Sequence, residues 1–522
     1  MARHGLPRVR GGKRLALLLL GMLALVEVGP VRAQGWNGFG SDPQHTGLAR
    51  TSGQIPRKIR WSTPVDLAPQ YSGNGDLLTH FGSPLITKAN TVLVPVKGAA
   101  YGGFRVEARS GVNGKLIWTF NSDYALPRFN WVPSFGPTIR AGDGAVVMPG
   151  AGGTVLVRYN PESSGASFTR LAFHDLALYN RNATAFNRSI QICTPITSDN
   201  QGNIFFGYVS DGAALPGFPK GIPSGLARIS FSGKGTYATA ASLANDNTIK
   251  KVAYNCAPAV SVDGASVYVA VNAASPTQIG SFSRGALCRA NSTTLARMSS
   301  VALFDARGGT NQAVLSDDGT ASPTIGPDGD VYFGVLESSF PSNHARGWLL
   351  HFDSTLAKTK IPGAFGWDDS ASIVPATAVP SYKGTSTYLV LTKYNNYSNA
   401  GIGGDGKNKV AILDPNTTGV DPVTGLKVMR EVITVLGVTP SSEGAGVREW
   451  CINSVAVDPY TRAAVVNSED GRVYRWDFVT NTLSTGLRLA PPLGEAYTPT
   501  LIGPDGAVYA INNGQLFCCV AF

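Results

Sequence analysis

Three short stretches concentrate residue types that could do chemistry: SDDG, with Asp317 and Asp318; WDDS, with Trp367, Asp368 and Asp369; and REWCIN, with Arg448, Glu449, Trp450 and Asn453. Paired carboxylates and an amide oxygen are what a hard cation takes as ligands, and one such carboxylate can instead accept a proton. Arg128, Arg188 and Arg448 offer guanidinium forks for an anionic group, and Trp131, Trp367 or Trp450 a flat floor for a planar one. Asp317, Asp318, Glu449 and Asn453 are the candidate cation ligands, and Asp368 and Asp369 the candidate bases. The competing reading is a polar, solvated surface.

These residues share a position in a repeat. Each stands just ahead of a phrase that opens on a small residue and Pro or a close variant: SPLITKANTVLVPV, GPTIRAGDGAVVMPG, TPITSDNQGNIFFGY, APAVSVDGASVYVAV, SPTIGPDGDVYFGV and TPTLIGPDGAVYAI, with looser copies from Val374 and Ile452. Small-Pro, alternating apolar residues, an Asp-Gly-type turn and a Val/Tyr/Phe-rich return form the grammar of a β-hairpin. In RVEARSGVNGKLIWTF a third strand, a Gly turn and a Trp-bearing fourth strand follow. About eight copies at a period of roughly 45 to 80 residues predict an all-β, eight-bladed β-propeller over 34–522. Seven blades is the alternative if the copy near Ile452 is an insertion.

The last copy, Thr498 to Phe522, holds only three strands, and an unpaired edge would be sticky. The segment RKIRWSTPV, Arg57 to Val65, resembles KLIWTF and is expected to supply the fourth, so that both termini meet in one blade. The stretch from Thr417 to Arg448 is expected to be an excursion that forms a flap over the mouth.

Residues 1–33 read as a secretory signal peptide: Arg3, Arg8, Arg10, Lys13 and Arg14, then LALLLLGMLALVEV, then the small-residue site VRA. No later run is apolar enough to span a bilayer, so the mature chain is expected in the periplasm or outside the cell, as a monomer. Residues 1–33 carry six basic residues and one acid, so the formal charge falls from +10 to +5 without them. With no Lys/Arg run interleaved with aromatics, nucleic acid is not an expected partner.

Six cysteines in an exported chain permit disulfides. Cys193, Cys256 and Cys451 occupy one slot, in CTP, CAP and CIN, which makes Cys193 to Cys256 a candidate inter-blade bridge. Cys288 is then left to pair with Cys518 or Cys519, unless these thiols stay free. The vicinal Cys518-Cys519 pair lies in a strand, where neighbouring side chains point to opposite faces. The six histidines show no HxxxH or HExxH spacing, and His45 is expected to serve a turn. No GxSxG elbow supports a hydrolase.

WNGFGSDPQHTG, Trp36 to Gly47, together with EARSGVNGKLIW, resembles the opening segment and blade motif of pyrroloquinoline-quinone-like (PQQ-like) repeat propellers. That superfamily holds quinoprotein alcohol dehydrogenases and the propeller lipoprotein of outer-membrane protein assembly. The resemblance implies the fold across the mature chain, and one fold carries many functions. It implies two function classes: a binding or scaffold propeller whose mouth takes a protein, peptide or glycan, and a PQQ- and calcium-dependent dehydrogenase of alcohols or sugars. In the second, the tryptophans, arginines and carboxylates above would hold quinone and calcium. The haem-attachment phrase CxxCH is absent, and the cysteine pair does not stand in an early blade's mouth.

Overall fold

The computed structural model describes residues 1, 2, 5, 35–71, 77, 82–126, 135–277, 282–317, 319, 321–338, 346–396, 404–441, 446–450, 452, 454–491 and 499–522. Eight antiparallel sheets follow one another in chain order, and each begins at one copy of the repeat. Blade one is Leu85–Ile86, Thr91–Val96, Arg105–Ser110 and Leu116–Asn121. Its two-residue inner strand and its Asn90 turn at φ 66° show why the grammar works: the short strand lines the axis while the Val-rich second strand is buried throughout. Blade five keeps three strands, Thr324–Ile325, Val331–Val335 and Trp348–Phe352. Its fourth is reduced to bridges from Phe352 to Thr359 and from Leu349 to Gly363.

The ring closes as the sequence predicts. Lys58–Pro64 lies antiparallel to Gln515–Val520, with Trp61 opposite Cys518 and Pro64 opposite Gln515. Trp61 then carries the closure into blade one by donating its Nε1–H to the Gly111 carbonyl at 3.0 Å. Gly114 sits at φ 70° against the indole, where a Cβ would lie 2.8 Å from the ring.

The ring has eight blades, as expected, because the copy near Ile452 opens a sheet of its own, Ala456–Asp458, Ala463–Ser468, Arg472–Asp477 and Thr482–Leu483. The flap is corrected. The stretch from Thr417 is no flap: Lys409–Val420 and Lys427–Leu436 are the third and fourth strands of blade six. Bulges at Ile412/Leu413 and Asp414/Thr418 absorb its Pro, Asn and Gly residues. Its turn is fixed by a buried, bidentate pair from Arg346 to Asp421, both bonds 3.0 Å. The excursion lies elsewhere, in two short helices, Leu176–Arg181 and Ala183–Ser189, between blades two and three. Asp175 caps the first by accepting from Leu178 N, and Phe186 buries the pair.

The cysteine bridges do not form. Cys193, Cys256, Cys288, Cys518 and Cys519 are free, buried thiols, and Cys288 stands in blade four while Cys518 and Cys519 stand in the closing blade. Burial pushes the Cys256 thiol up to about 12 and Cys518 to about 11, so neither is a ready nucleophile. Cys451 lies outside the described residues. Among those residues, no helix is long and apolar enough to cross a membrane.

Candidate functional site

The two ends of the ring are built differently. At the end that carries the first hairpin turns, residues 36–54 run across the ring and bond the blades almost in order. Trp36 exchanges backbone bonds with Ile86 of blade one, and the Asn37 carbonyl accepts from Ile139 of blade two. The Pro43, Gln44, Thr46 and Gly47 carbonyls accept from Val260, Ile325, Ile373 and Val457, one each from blades four to seven, at 2.8 to 2.9 Å. Gln54 N donates to Gly506 of blade eight, and His45 reaches Thr197 Oγ1 of blade three at 3.4 Å. The segment therefore satisfies backbone groups that the short inner strands leave open.

Within it, the Asp42 carboxylate accepts from Gln44 N, Thr46 N and Thr46 Oγ1, which folds the DPQHT turn. His45, 1% exposed, holds φ 60° and bonds the Pro323 carbonyl through Nδ1 at 2.8 Å. The sequence-based expectation of a turn residue is met, but this histidine also pins blades three and five. Burial lowers its pKa to about 4, so it is neutral near pH 7.

The opposite end, the mouth, is built on buried charge. Lys251 and Asp317 form a fully buried ion pair, with Asn272 Nδ2 donating to the same carboxylate at 3.2 Å and the Tyr254 ring 4.0 Å from Nζ. Lys97 pairs with Asp66 at 3.0 Å. Lys393 stands 3.9 Å from Asp368, and Thr392 donates to Asp369. Asp368 holds φ 50°, a left-handed conformation uncommon for a side-chain-bearing residue. Burial raises the Asp369 carboxyl to about 7, against the pull of Lys393 and Thr392.

Beside these pairs lies a small cleft of about 20 Å³, lined among others by Tyr254, Ser316, Gly319, Trp367 and Asp368. Its walls come from the connections before blades four, five and six. Asn255 Nδ2 donates to the Gly319 carbonyl and ties the first two walls together.

Of the sequence-derived candidates, Trp367 and Asp368 line this cleft, while Asp317 is paired with Lys251 and Asp369 bonded by Thr392. Trp450 lies inside its blade, 0% exposed, with Nε1–H on the Asn408 carbonyl and Tyr474 edge-on at 5.8 Å, so it presents no floor to the mouth. Glu449 accepts from Asn395 Nδ2 at 3.3 Å. Arg448 is half-buried and donates its backbone N–H to the Thr439 carbonyl. Arg188 is exposed near the end of the second short helix. Arg128, Trp131, Asp318 and Asn453 lie outside the described residues.

Sequence reasoning missed the lysines. Two of them, Lys97 and Lys393, follow or end apolar second strands, VPVK and VLTK, which was the signal available. They change the electrostatics of the described part of the mouth: Asp66, Asp317 and Asp368 each sit with an ammonium group. Among the described residues no three His, Cys, Asp or Glu side chains converge.

No family model matches the chain, and no curated protein matches it in sequence. Solved structures do match in fold. A europium-containing methanol dehydrogenase superposes over 91% of this chain and 89% of its own, with TM-score 0.51 at 9% identity. The quinohemoprotein alcohol dehydrogenase of Comamonas testosteroni covers 93% and 80%, with TM-score 0.50 at 10% identity. BamB from Moraxella catarrhalis covers 89% and 97% at 13% identity, with the lower TM-score of 0.41. With eight antiparallel sheets, one of them three-stranded, and a ring closed by an N-terminal strand, the chain is an eight-bladed β-propeller and matches the two dehydrogenase structures in fold.

Proposed function

We propose that the protein is an exported, monomeric binding propeller that presents its mouth to a protein, peptide or glycan. One observation carries this reading: the channel is crossed at one end by residues 36–54, bonded to every blade, while the other end keeps a cleft walled by Trp367, Tyr254 and Asp368. Buried lysines compensate the carboxylates beside that cleft, so its walls carry little net charge. An aromatic wall with few polar groups suits a glycan ring or a peptide side chain. The mild charge left after residues 1–33 agrees with a partner that is not nucleic acid.

Crosslinking capture from envelope extract and a glycan array, both with the mature protein, test the reading. Binding is expected to fall at least tenfold in Trp367→Ala and to persist in Gln201→Ala, at the opposite end. Equal binding by both variants sinks the mouth assignment. Calorimetric titration with PQQ and calcium, with dye reduction by alcohols and sugars, is the counter-test. Saturable binding with turnover would replace this reading by the dehydrogenase one.

A further inference from the structure

Three neutral side chains at the mouth ends of blades seven and eight are buried without hydrogen-bond partners for the atoms that matter. Ser454 (2% exposed) leads into the inner strand of blade seven, Asn467 (0%) stands one residue before the end of its second strand, and Asn512 (1%) ends the second strand of blade eight. Ser454 Oγ, Asn467 Oδ1 and both amide atoms of Asn512 find no partner among the described residues. The three are neighbours through the backbone. Asn467 Nδ2 donates across the blade boundary to the carbonyl of Ile511, the residue before Asn512, at 3.3 Å. Thr500 of blade eight donates its N–H to the Ser454 carbonyl at 3.3 Å and its hydroxyl to the Val465 carbonyl at 2.7 Å.

Leaving a buried polar atom unsatisfied costs about 1 to 3 kcal/mol, and native interiors satisfy nearly all of them with protein or ordered water. Single orphans recur elsewhere in this ring, such as His351 Nδ1 and Arg346 Nε, but there the rest of the side chain is anchored by an ion pair. Asn512 has neither amide atom anchored among the described residues.

We infer that Ser454, Asn467 and Asn512 form a polar site for a neutral, hydroxyl-bearing guest. The chemistry sets the class. Two amide oxygens accept, one amide NH₂ donates and one hydroxyl does either, so a guest must both donate and accept. No charge in the trio favours an ion. Water satisfies this in the isolated protein, and a hydroxyl of a polyol or sugar has the same donor and acceptor capacity. The site stands whether or not the mouth binds a macromolecule, because it needs only water.

The test is a crystal structure of the mature protein at a resolution that shows ordered water, grown with and without glucose. Ordered density within hydrogen-bond reach of Asn467 Oδ1 and the Asn512 amide is expected. Water-sized density in both crystals assigns the guest as water, and a sugar ring in the glucose crystal assigns the polyol. No density at the trio in either crystal overturns the inference. Thermal melting of Asn512→Leu is independent of crystals. A bound guest predicts a fall in Tm of about 2 °C, whereas a rise, from removal of an orphaned amide, overturns the inference.

Discussion

The sealed end and the mouth of this ring solve one problem with different materials. At the sealed end a single run of chain lends backbone carbonyls and amides to blade after blade, and its histidine anchor, His45, is held neutral. At the mouth the connections themselves are held by buried lysine–carboxylate pairs, Lys251–Asp317, Lys97–Asp66 and Lys393–Asp368. Backbone bonds are indifferent to side-chain identity. Buried ion pairs are not, because removal of one partner strands the other charge in a low dielectric. The sealed end should therefore respond to steric change, and the mouth to charge change.

The largest expected effect tests the mouth. Lys251→Met leaves Asp317 buried without its cation and should cost about 3 to 5 kcal/mol in urea denaturation. Lys251→Met with Asp317→Leu should regain most of that loss. A double variant as unstable as the single one would mean that packing, and not charge, holds this wall.

Gly47→Val tests the sealed end. Gly47 holds φ 67°, and a Cβ there would lie 2.4 Å from the Val455 carbonyl, so a loss of about 3 kcal/mol is expected. Arg50→Ala, in the same run, removes only a half-exposed pair and should change stability by less than about 1 kcal/mol.

Proton titration sharpens the contrast, because the two ends have opposite signs. His45 has a folded pKa lowered from 6.5 to about 4, so the unfolded chain takes up a proton first and stability falls as pH drops through that window. Asp369 is raised from 3.8 to about 7, so the folded state takes the proton first and stability rises over nearly the same window. Urea midpoints from pH 7.5 to 4.5 should therefore fall more steeply in Asp369→Asn than in the wild type. They should fall less steeply in His45→Asn, which tolerates the left-handed backbone. Parallel curves for all three proteins would remove both assignments. The smallest effect is at Arg188, exposed at a helix end, where Arg188→Ala should leave stability within about 0.5 kcal/mol.

Asp368→Asn cannot serve as a silent probe of chemistry. The sequence marks Asp368 and Asp369 as candidate bases. The structure sets a buried Lys393 beside them, which an amide pair would leave uncompensated.

Much of this architecture was legible in the residues, because each blade repeats its own strand grammar and the missing fourth strand of the last copy had one candidate, RKIRWSTPV. What misled was local composition. PNTTGVDPVTG has the turn residues of a loop, yet paired bulges keep it in the sheet of blade six. LALYNR and ATAFNRS are too short to show helical periodicity, although Asp175 marks the cap. At the mouth, the acidic candidates Asp317 and Asp368 were found by position, whereas their cations were not. Asp317 and Lys251 lie 66 residues apart, and no local pattern couples them.

The closure also governs when this chain can fold. Ala521 N donates to Gln54 Oε1 across 467 residues, and Lys58–Pro64 pairs with Gln515–Val520. A contact of such sequence separation has to wait for all eight blades to be made, so the ring locks late, and removal of Gln515–Val520 should leave blades without a finished circle.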